Sequence, residues 1–154
     1  HHGDGTEEIL ADRPGVRFLS LFQWPLFPHR RMEPTPSNAV LSPLPAGAGG
    51  EEIRNVVENV WLPEIDKFQP DLMILSAGFD AHCEERIAQL KAGEMDYACV
   101  TRLLVEASFA YCEGRLVSVL EGGYELRSLA RSVFTHLQGL IRNPLPAETC
   151  KDPN

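Results

Sequence analysis

The chain has 154 residues, 44% hydrophobic and 23% charged, which is enough to bury the core of one ordinary domain. Lys and Arg number 14 against 22 Asp and Glu, a net charge of −8, and the only adjacent cations are Arg30 and Arg31. Binding of a polyanion needs clustered cations, so direct nucleic-acid contact is not expected. No apolar stretch approaches the ~20 residues of a membrane helix, and no signal-peptide pattern is present, so the expectation is a soluble protein with no membrane partner.

The four cysteines, Cys83, Cys99, Cys112 and Cys150, are too widely spaced for a Cys-x-x-Cys knuckle. They read as idle thiols rather than disulfides, which points to a reducing, cytoplasmic setting.

His1-His2-Gly3-Asp4-Gly5 opens the chain, and Thr6 is the expected cap of a short helix through Leu10. After the Pro14-Gly15 turn, Val16–Phe22 is apolar and reads as a buried strand. Residues 23–50 hold six of the twelve prolines and read as a long irregular loop, with a short extended piece at Ala39–Leu41. Loops of that length in a compact domain are usually functional.

Glu51–Phe68 repeats apolar residues every three or four positions, as a helix does, with Pro63 predicted to kink or break it. Asp71–Ser76 reads as a second buried strand that delivers Ala77-Gly78-Phe79-Asp80 at its end. Residues 81–93 form a second loop, and Glu94–Cys112 a helix. Arg115–Leu120 is a third strand, followed by the Glu121-Gly122-Gly123-Tyr124 turn and a helix over Leu126–Ile141. The last twelve residues, 143–154, read as a polar tail.

Buried strands alternating with helices predict an α/β fold, a parallel sheet with helices on both faces. Sites in such folds form beyond the C-terminal strand ends, where Ser20, Asp80 and Tyr124 fall. From spacing alone, Asp80 is a turn residue or a metal ligand or general base. Tyr124 is a packed turn residue or a side chain aimed into a cleft by two permissive glycines. The terminal histidines are an affinity-tag remnant or a site, and neighbours on an extended segment point to opposite sides, so one at most would serve a given metal.

Taken together, His-His-Gly-Asp-Gly-Thr, Ser-Leu-Phe, Phe-Pro, Pro-Leu-Pro-Ala-Gly, Pro-Asp-Leu-Met-Ile-Leu-Ser-Ala-Gly-Phe-Asp-Ala-His and Leu-Glu-Gly-Gly-Tyr-Glu-Leu occur in one order over residues 1–142. In that set the chain resembles the zinc-dependent histone deacetylase superfamily, most of all its class II-like branch with bacterial deacetylases and acetylpolyamine amidohydrolases. The resemblance implies the C-terminal part of an arginase/deacetylase-like domain over 1–142. It implies an amide hydrolase that removes acetyl or other acyl groups from lysine side chains or polyamines.

The implied roles follow position by position. His1 and Asp80 match zinc ligands. Tyr124 matches the Tyr that hydrogen-bonds the substrate carbonyl and the developing oxyanion. Ser20 and Leu21 match a structural potassium site, and Leu10, Arg13 and Val16 match backbone positions of a second monovalent-ion site. Phe27 and Pro28 match a wall of the acyl-lysine tunnel, Ile87 its rim, and Gly122 and Gly123 its lining. The implied cofactors are Zn2+ and also K+. An Asp-His-Asp zinc site keeps positions open for water and a carbonyl, and an apolar tunnel suits the stem of an acyl-lysine.

The sequence also departs from the pattern. The tandem catalytic His pair and one Asp ligand belong upstream of His1 in the family, so His1-His2 is not that pair. The usual Gly-Asp-Pro-Leu reads Glu84-Glu85-Arg86-Ile87, and Phe22 stands where a His or polar residue is usual. The chain on its own is therefore expected to be inactive and to bind zinc weakly. It is also expected to associate, as a homo-oligomer or with a missing N-terminal half. The alternative is a non-catalytic fragment or interaction module. Nucleotide binding and serine hydrolysis lack their motifs.

Overall fold

The structure, a computed structural model, describes residues 1–29 and 34–141. The Arg30–Arg31 pair and the expected tail 143–154 lie outside the described residues. The elements run α1 (Asp4–Leu10), β1 (Phe18–Gln23), β2 (Ala39–Leu44), α2 (Gly50–Val56), a π-helical stretch (Val57–Trp61), α3 (Leu62–Phe68), β3 (Met73–Ala77), α4 (Glu94–Cys112), β4 (Leu116–Leu120) and α5 (Leu126–Leu140). None of the helices among the described residues is long and apolar enough to cross a membrane.

The strands are parallel, but the described residues pair them two by two: β1 with β2, and β3 with β4. The short extended piece expected at Ala39–Leu41 is a full strand, six residues in register with β1, Phe18 opposite Ala39 and Gln23 opposite Leu44. Pro43 hid it, since proline suppresses a strand reading. Among the described residues β2 pairs on one side only, and a strand of that kind tolerates a proline whose missing N–H faces away from the ladder.

Pro63 acts as expected, with a specific local form. Without an N–H it cannot complete the ladder above it, and the preceding turn widens until the N–H of Leu62 reaches the carbonyl of Val57 five residues back. The helix resumes as α3 and ends at Gln69 in the left-handed conformation. At the start of the chain the cap is Gly3, also left-handed, and not Thr6; the N–H of Glu7 bonds the Gly3 carbonyl at 2.9 Å.

One cluster joins Met73, Leu75 and Leu116 of β3 and β4 to Leu104, Ala107 and Cys112 of α4, with Val57, Trp61, Leu62 and Ile65 closing it and Leu19 of β1 packed against it. A second gathers Leu44, Ala48, Ile53, Leu90 and Ala92 beside Leu21, Tyr97 and Val100. The parallel α/β arrangement is the expected one, and among the described residues β3 and β4 leave apolar side chains open on one face. Ile74 is 64% exposed, and its register partner Val117 and the next residue on that face, Val119, are each 50% exposed. Residues that read as a two-sided buried strand thus have one covered face and one open face among the described residues.

The cysteine expectation is corrected at one position. Cys83 and Cys112 are free, but the buried Cys99 is disulfide-bonded and not the idle thiol expected.

His136 ties α5 to the rest. The hydroxyl of Thr101 donates to the Tyr97 carbonyl at 2.6 Å, so its oxygen accepts from His136 Nδ1 at 2.7 Å. His136 Nε2 then accepts the Ser118 hydroxyl at 2.8 Å, and the edge of the Phe79 ring closes the cage. A neutral imidazole satisfies every partner, and burial holds its pKa below the ordinary 6.5. The unfolded chain therefore binds this proton more readily than the fold does. Stability should be full above pH 6.5 and fall as pH drops from there through the depressed folded value. Denaturant midpoints between pH 8 and pH 5 should show a smaller acid loss in His136→Asn than in wild type; equal losses would contradict this account.

Candidate functional site

Two polypeptide ends meet beyond the C-terminal edge of the strands. Asp80 follows β3 by three residues, and the Gly122-Gly123-Tyr124 turn follows β4. Because β3 and β4 are parallel and in register, both segments leave at the same edge, where the N–H of Phe79 bonds the Gly122 carbonyl at 2.9 Å and the N–H of Glu121 the Ala77 carbonyl at 3.1 Å. Asp80 is pressed against Gly122 so closely that a Cβ there would lie 2.9 Å from Asp80 Oδ1.

His1 arrives from outside this pair. Its Nδ1 lies 3.0 Å from Asp80 Oδ2, and its Nε2 lies 3.4 Å from the carbonyl of Gln23 at the end of β1. The two side chains are 13% and 8% exposed. When Nε2 carries the hydrogen and donates it to Gln23, the Nδ1 lone pair faces a carboxylate oxygen. Two electron-pair donors at that distance need a proton or a cation between them. Tetrahedral zinc bonded at ~2.0–2.1 Å would set two such ligand atoms roughly 3.3 Å apart, close to what is observed. A ligating imidazole that gives its other N–H to a backbone carbonyl is the usual supporting arrangement. His1 and Asp80 therefore fit a metal as a pair, but no group of three His, Cys, Asp or Glu that could hold an ion occurs among the described residues.

The other expected positions are placed as follows. Tyr124 is 60% exposed and its backbone N–H donates to Glu85. Gly123, with φ +123°, holds the turn against Phe79 and Leu129. Ile87 is exposed on the 81–93 loop; Phe27 is exposed and Pro28 half-buried in the segment after β1. Ser20 is buried, and its hydroxyl donates to the His2 carbonyl at 2.6 Å. Leu21 points its side chain into the second core cluster. Leu10 offers a carbonyl that already accepts from Arg13 N at 3.1 Å and from Asn38 Nδ2 at 2.8 Å, which engages both its lone pairs. Val16 is half-buried, and the Arg13 side chain donates to Ile9 O at 2.7 Å.

Sequence reading missed the residues that support these. Gln23 is 1% exposed, and its Oε1 accepts the N–H of Gln89 at 2.6 Å, fastening the end of β1 to the 81–93 loop. His2, the neighbour that does not face Asp80, is buried against Phe22 and bonds Glu7 Oε2 at 2.8 Å through Nε2. His82 stacks on Tyr97, and its Nδ1 accepts the N–H of Glu84 at 3.1 Å. Burial, helped by the Asp80 charge, pushes the Tyr97 hydroxyl well above the ordinary phenol range, so it stays protonated. Arg131 pairs with Glu94 and with Glu84, at 2.6 Å, and its hydrogen bond to Glu94 holds that carboxyl below its usual range. Gln23 at the end of β1 and Glu84 in the 81–93 loop carry no pattern that marks them, because their partners, Gln89 and Arg131, lie 66 and 47 residues away.

The contact at Gly122 gives a direct test. Its φ lies outside the left-handed region, so alanine there is opposed by Asp80 alone. Gly122→Ala should cost about 1–3 kcal/mol of stability, as overpacking of a fixed contact does, measured by denaturant unfolding. A change under about 0.5 kcal/mol would show that the carboxylate yields freely.

Residues 1–140 match the histone deacetylase domain family. The chain is 33% identical over 150 residues to "Histone deacetylase 14, chloroplastic" of Arabidopsis thaliana, covering 92% of this chain and 35% of that protein. It is 36% identical over 132 residues to a "Probable deacetylase" of Archaeoglobus fulgidus, covering 82% and 37%. Among solved structures, the HD domain of HDA15 superposes with a TM-score of 0.83 at 28% identity, covering 97% of this chain and 44% of that one. The chain thus spans a little over a third of the length of these curated relatives. Its fold, the order of its motifs and these likenesses agree: the chain belongs to the histone deacetylase domain family.

Proposed function

We propose that the chain carries one part of the active site of a zinc-dependent hydrolase that removes acetyl or other acyl groups from lysine side chains or polyamines. The observation that carries this reading is His1 Nδ1 facing Asp80 Oδ2 at 3.0 Å, in a buried notch at the strand ends. A "Polyamine deacetylase HDAC10" of Mus musculus is 32% identical over 95% of this chain, which supports an acylated amine as the substrate class.

In this reading His1 and Asp80 hold the zinc, and Gln23 keeps the His1 ring in the orientation that presents Nδ1. When bound, zinc polarises the amide carbonyl and acidifies water. The Tyr124 hydroxyl donates to the substrate carbonyl oxygen as negative charge builds there. Phe27, Pro28, Ile87, Gly122 and Gly123 flank the acyl stem. The third ligand, a second carboxylate, and the proton-transferring His pair would come from upstream of His1. Ser20 and Leu21, with the backbone of His1, are assigned a structural potassium ion, and Arg13 and Val16 a second monovalent ion through their carbonyls. Leu10 is the weak member of that second set, because its oxygen is already doubly engaged.

A non-catalytic role for the 154-residue chain by itself is the second reading. It is favoured by the lack of a third ligand among the described residues and by the open apolar face on β3 and β4.

Zinc titration and an acetyl-lysine assay distinguish the readings. Residues 1–154 alone should bind zinc weakly and turn over negligibly, since loss of a positioned base costs ~10²–10⁴ in rate. The full-length protein should be active and should lose zinc and activity in Asp80→Asn. Robust zinc-dependent turnover by the 154-residue chain would overturn this division of labour.

The same chain alone should form dimers or larger species, because Ile74, Val117, Val119, Phe134 and Leu137 leave apolar surface open. Light scattering that finds a folded monomer at ~100 μM would refute this.

A further inference from the structure

The Tyr124 side chain is 60% exposed, so packing does little to fix its direction. Its backbone is held instead. The N–H of Tyr124 donates to Glu85 Oε2 at 2.8 Å, and the N–H of Glu125 donates to the same oxygen at 3.3 Å. The other oxygen, Oε1, accepts the N–H of Arg86 at 2.8 Å within the 81–93 loop. One carboxylate therefore fastens that loop to the turn between β4 and α5. Gly123 also rests on Phe79 and Leu129, where a Cβ would meet Leu129 Cδ1 at 2.8 Å and Phe79 Cβ at 3.1 Å. The turn is thus fixed both by close contact at Gly123 and by Glu85.

We propose that Glu85 is a positioning residue for Tyr124: by accepting two consecutive N–H groups it sets the backbone that aims the Tyr124 hydroxyl at the substrate carbonyl. The proposal rests on the hydrolase reading given above, in which that hydroxyl meets the oxyanion. A charged acceptor strengthens both bonds relative to a neutral one. Burial pushes the Glu85 carboxyl up, but the N–H groups of Tyr124, Arg86, Glu125 and Ile87 together pull it below its usual range, so it is ionised as the role requires. Loss of the clamp would let an exposed side chain wander, and displacement by ~1 Å at a reacting centre costs up to ~10²-fold in rate.

The test uses the full-length protein as wild type, Glu85→Ala and Glu85→Gln. Amide hydrogen exchange at Tyr124 and Glu125 reads the clamp without any need for turnover, and the α4 amides report on the fold. Steady-state deacetylation reads the positioning. In Glu85→Ala, exchange at the two amides should quicken about tenfold, α4 should stay protected, and kcat should fall about 10- to 100-fold with KM within about threefold. Glu85→Gln keeps an acceptor oxygen and should recover most of kcat; should the alanine variant lose α4 protection, the glutamine variant decides on the same two readings, with a smaller shift in each. Unchanged exchange at Tyr124 and Glu125 overturns the clamp. Faster exchange with unchanged kcat, or a loss confined to KM, overturns the positioning role. A wild type that protects both amides yet turns over neither acetyl-lysine nor an acetylpolyamine overturns the hydrolase reading, and with it the role given to Glu85.

Discussion

The parallel register of β3 and β4 is the constraint on which the site depends. It brings Ala77 opposite Leu120, so the two strands release their chains at one level. Asp80 and Gly122 then lie close enough that only a glycine leaves room for the carboxylate. With the carboxylate fixed against the opposite strand's turn, His1 has a defined place to meet, and the Gln23 carbonyl supplies the other side of its ring. The arrangement needs three segments distant in sequence and succeeds because each leaves a strand end or abuts one.

Around this notch the loops are tied down by charged and polar side chains rather than by apolar packing. Gln23 holds Gln89, Glu85 holds the Tyr124 turn, and Arg131 joins Glu84 to Glu94. The 81–93 loop is therefore fastened to β1, to the β4–α5 turn and to α5. Exposed ion pairs such as Arg131–Glu84 contribute little singly, since solvent screens them. The bonds from backbone N–H groups to Glu85 and Gln23 do more, because they fix main-chain positions.

The core and the site are coupled through Phe79. Its ring lies against Tyr97 and His136, its Cβ supports Gly123, and its neighbour is Asp80. The neutral His136 cage, which joins Thr101 of α4 to Ser118 of β4, thus contacts the ring of the residue next to Asp80. Conditions that charge this imidazole act on the support of the site as well as on global stability.

Much of this was legible in the sequence because it is local. The Glu94–Cys112 helix has the expected bounds, α5 ends one residue short of its expected limit, and β3 and β4 lie within two residues of theirs, since apolar periodicity and flanking glycines are properties of the segments themselves. The motif set pointed to the family and to His1, Asp80 and Tyr124 as the residues to follow. Tertiary structure alone decided the rest. Full-length β2 depends on a partner strand that accommodates Pro43. The open face of β3 and β4 depends on what covers it, which an apolar strand cannot state. The work of Gln23, Glu85 and His136 depends on contacts 66, 39 and 35 residues away, respectively, and a polar side chain acquires a role only when folding brings its partner within hydrogen-bond reach.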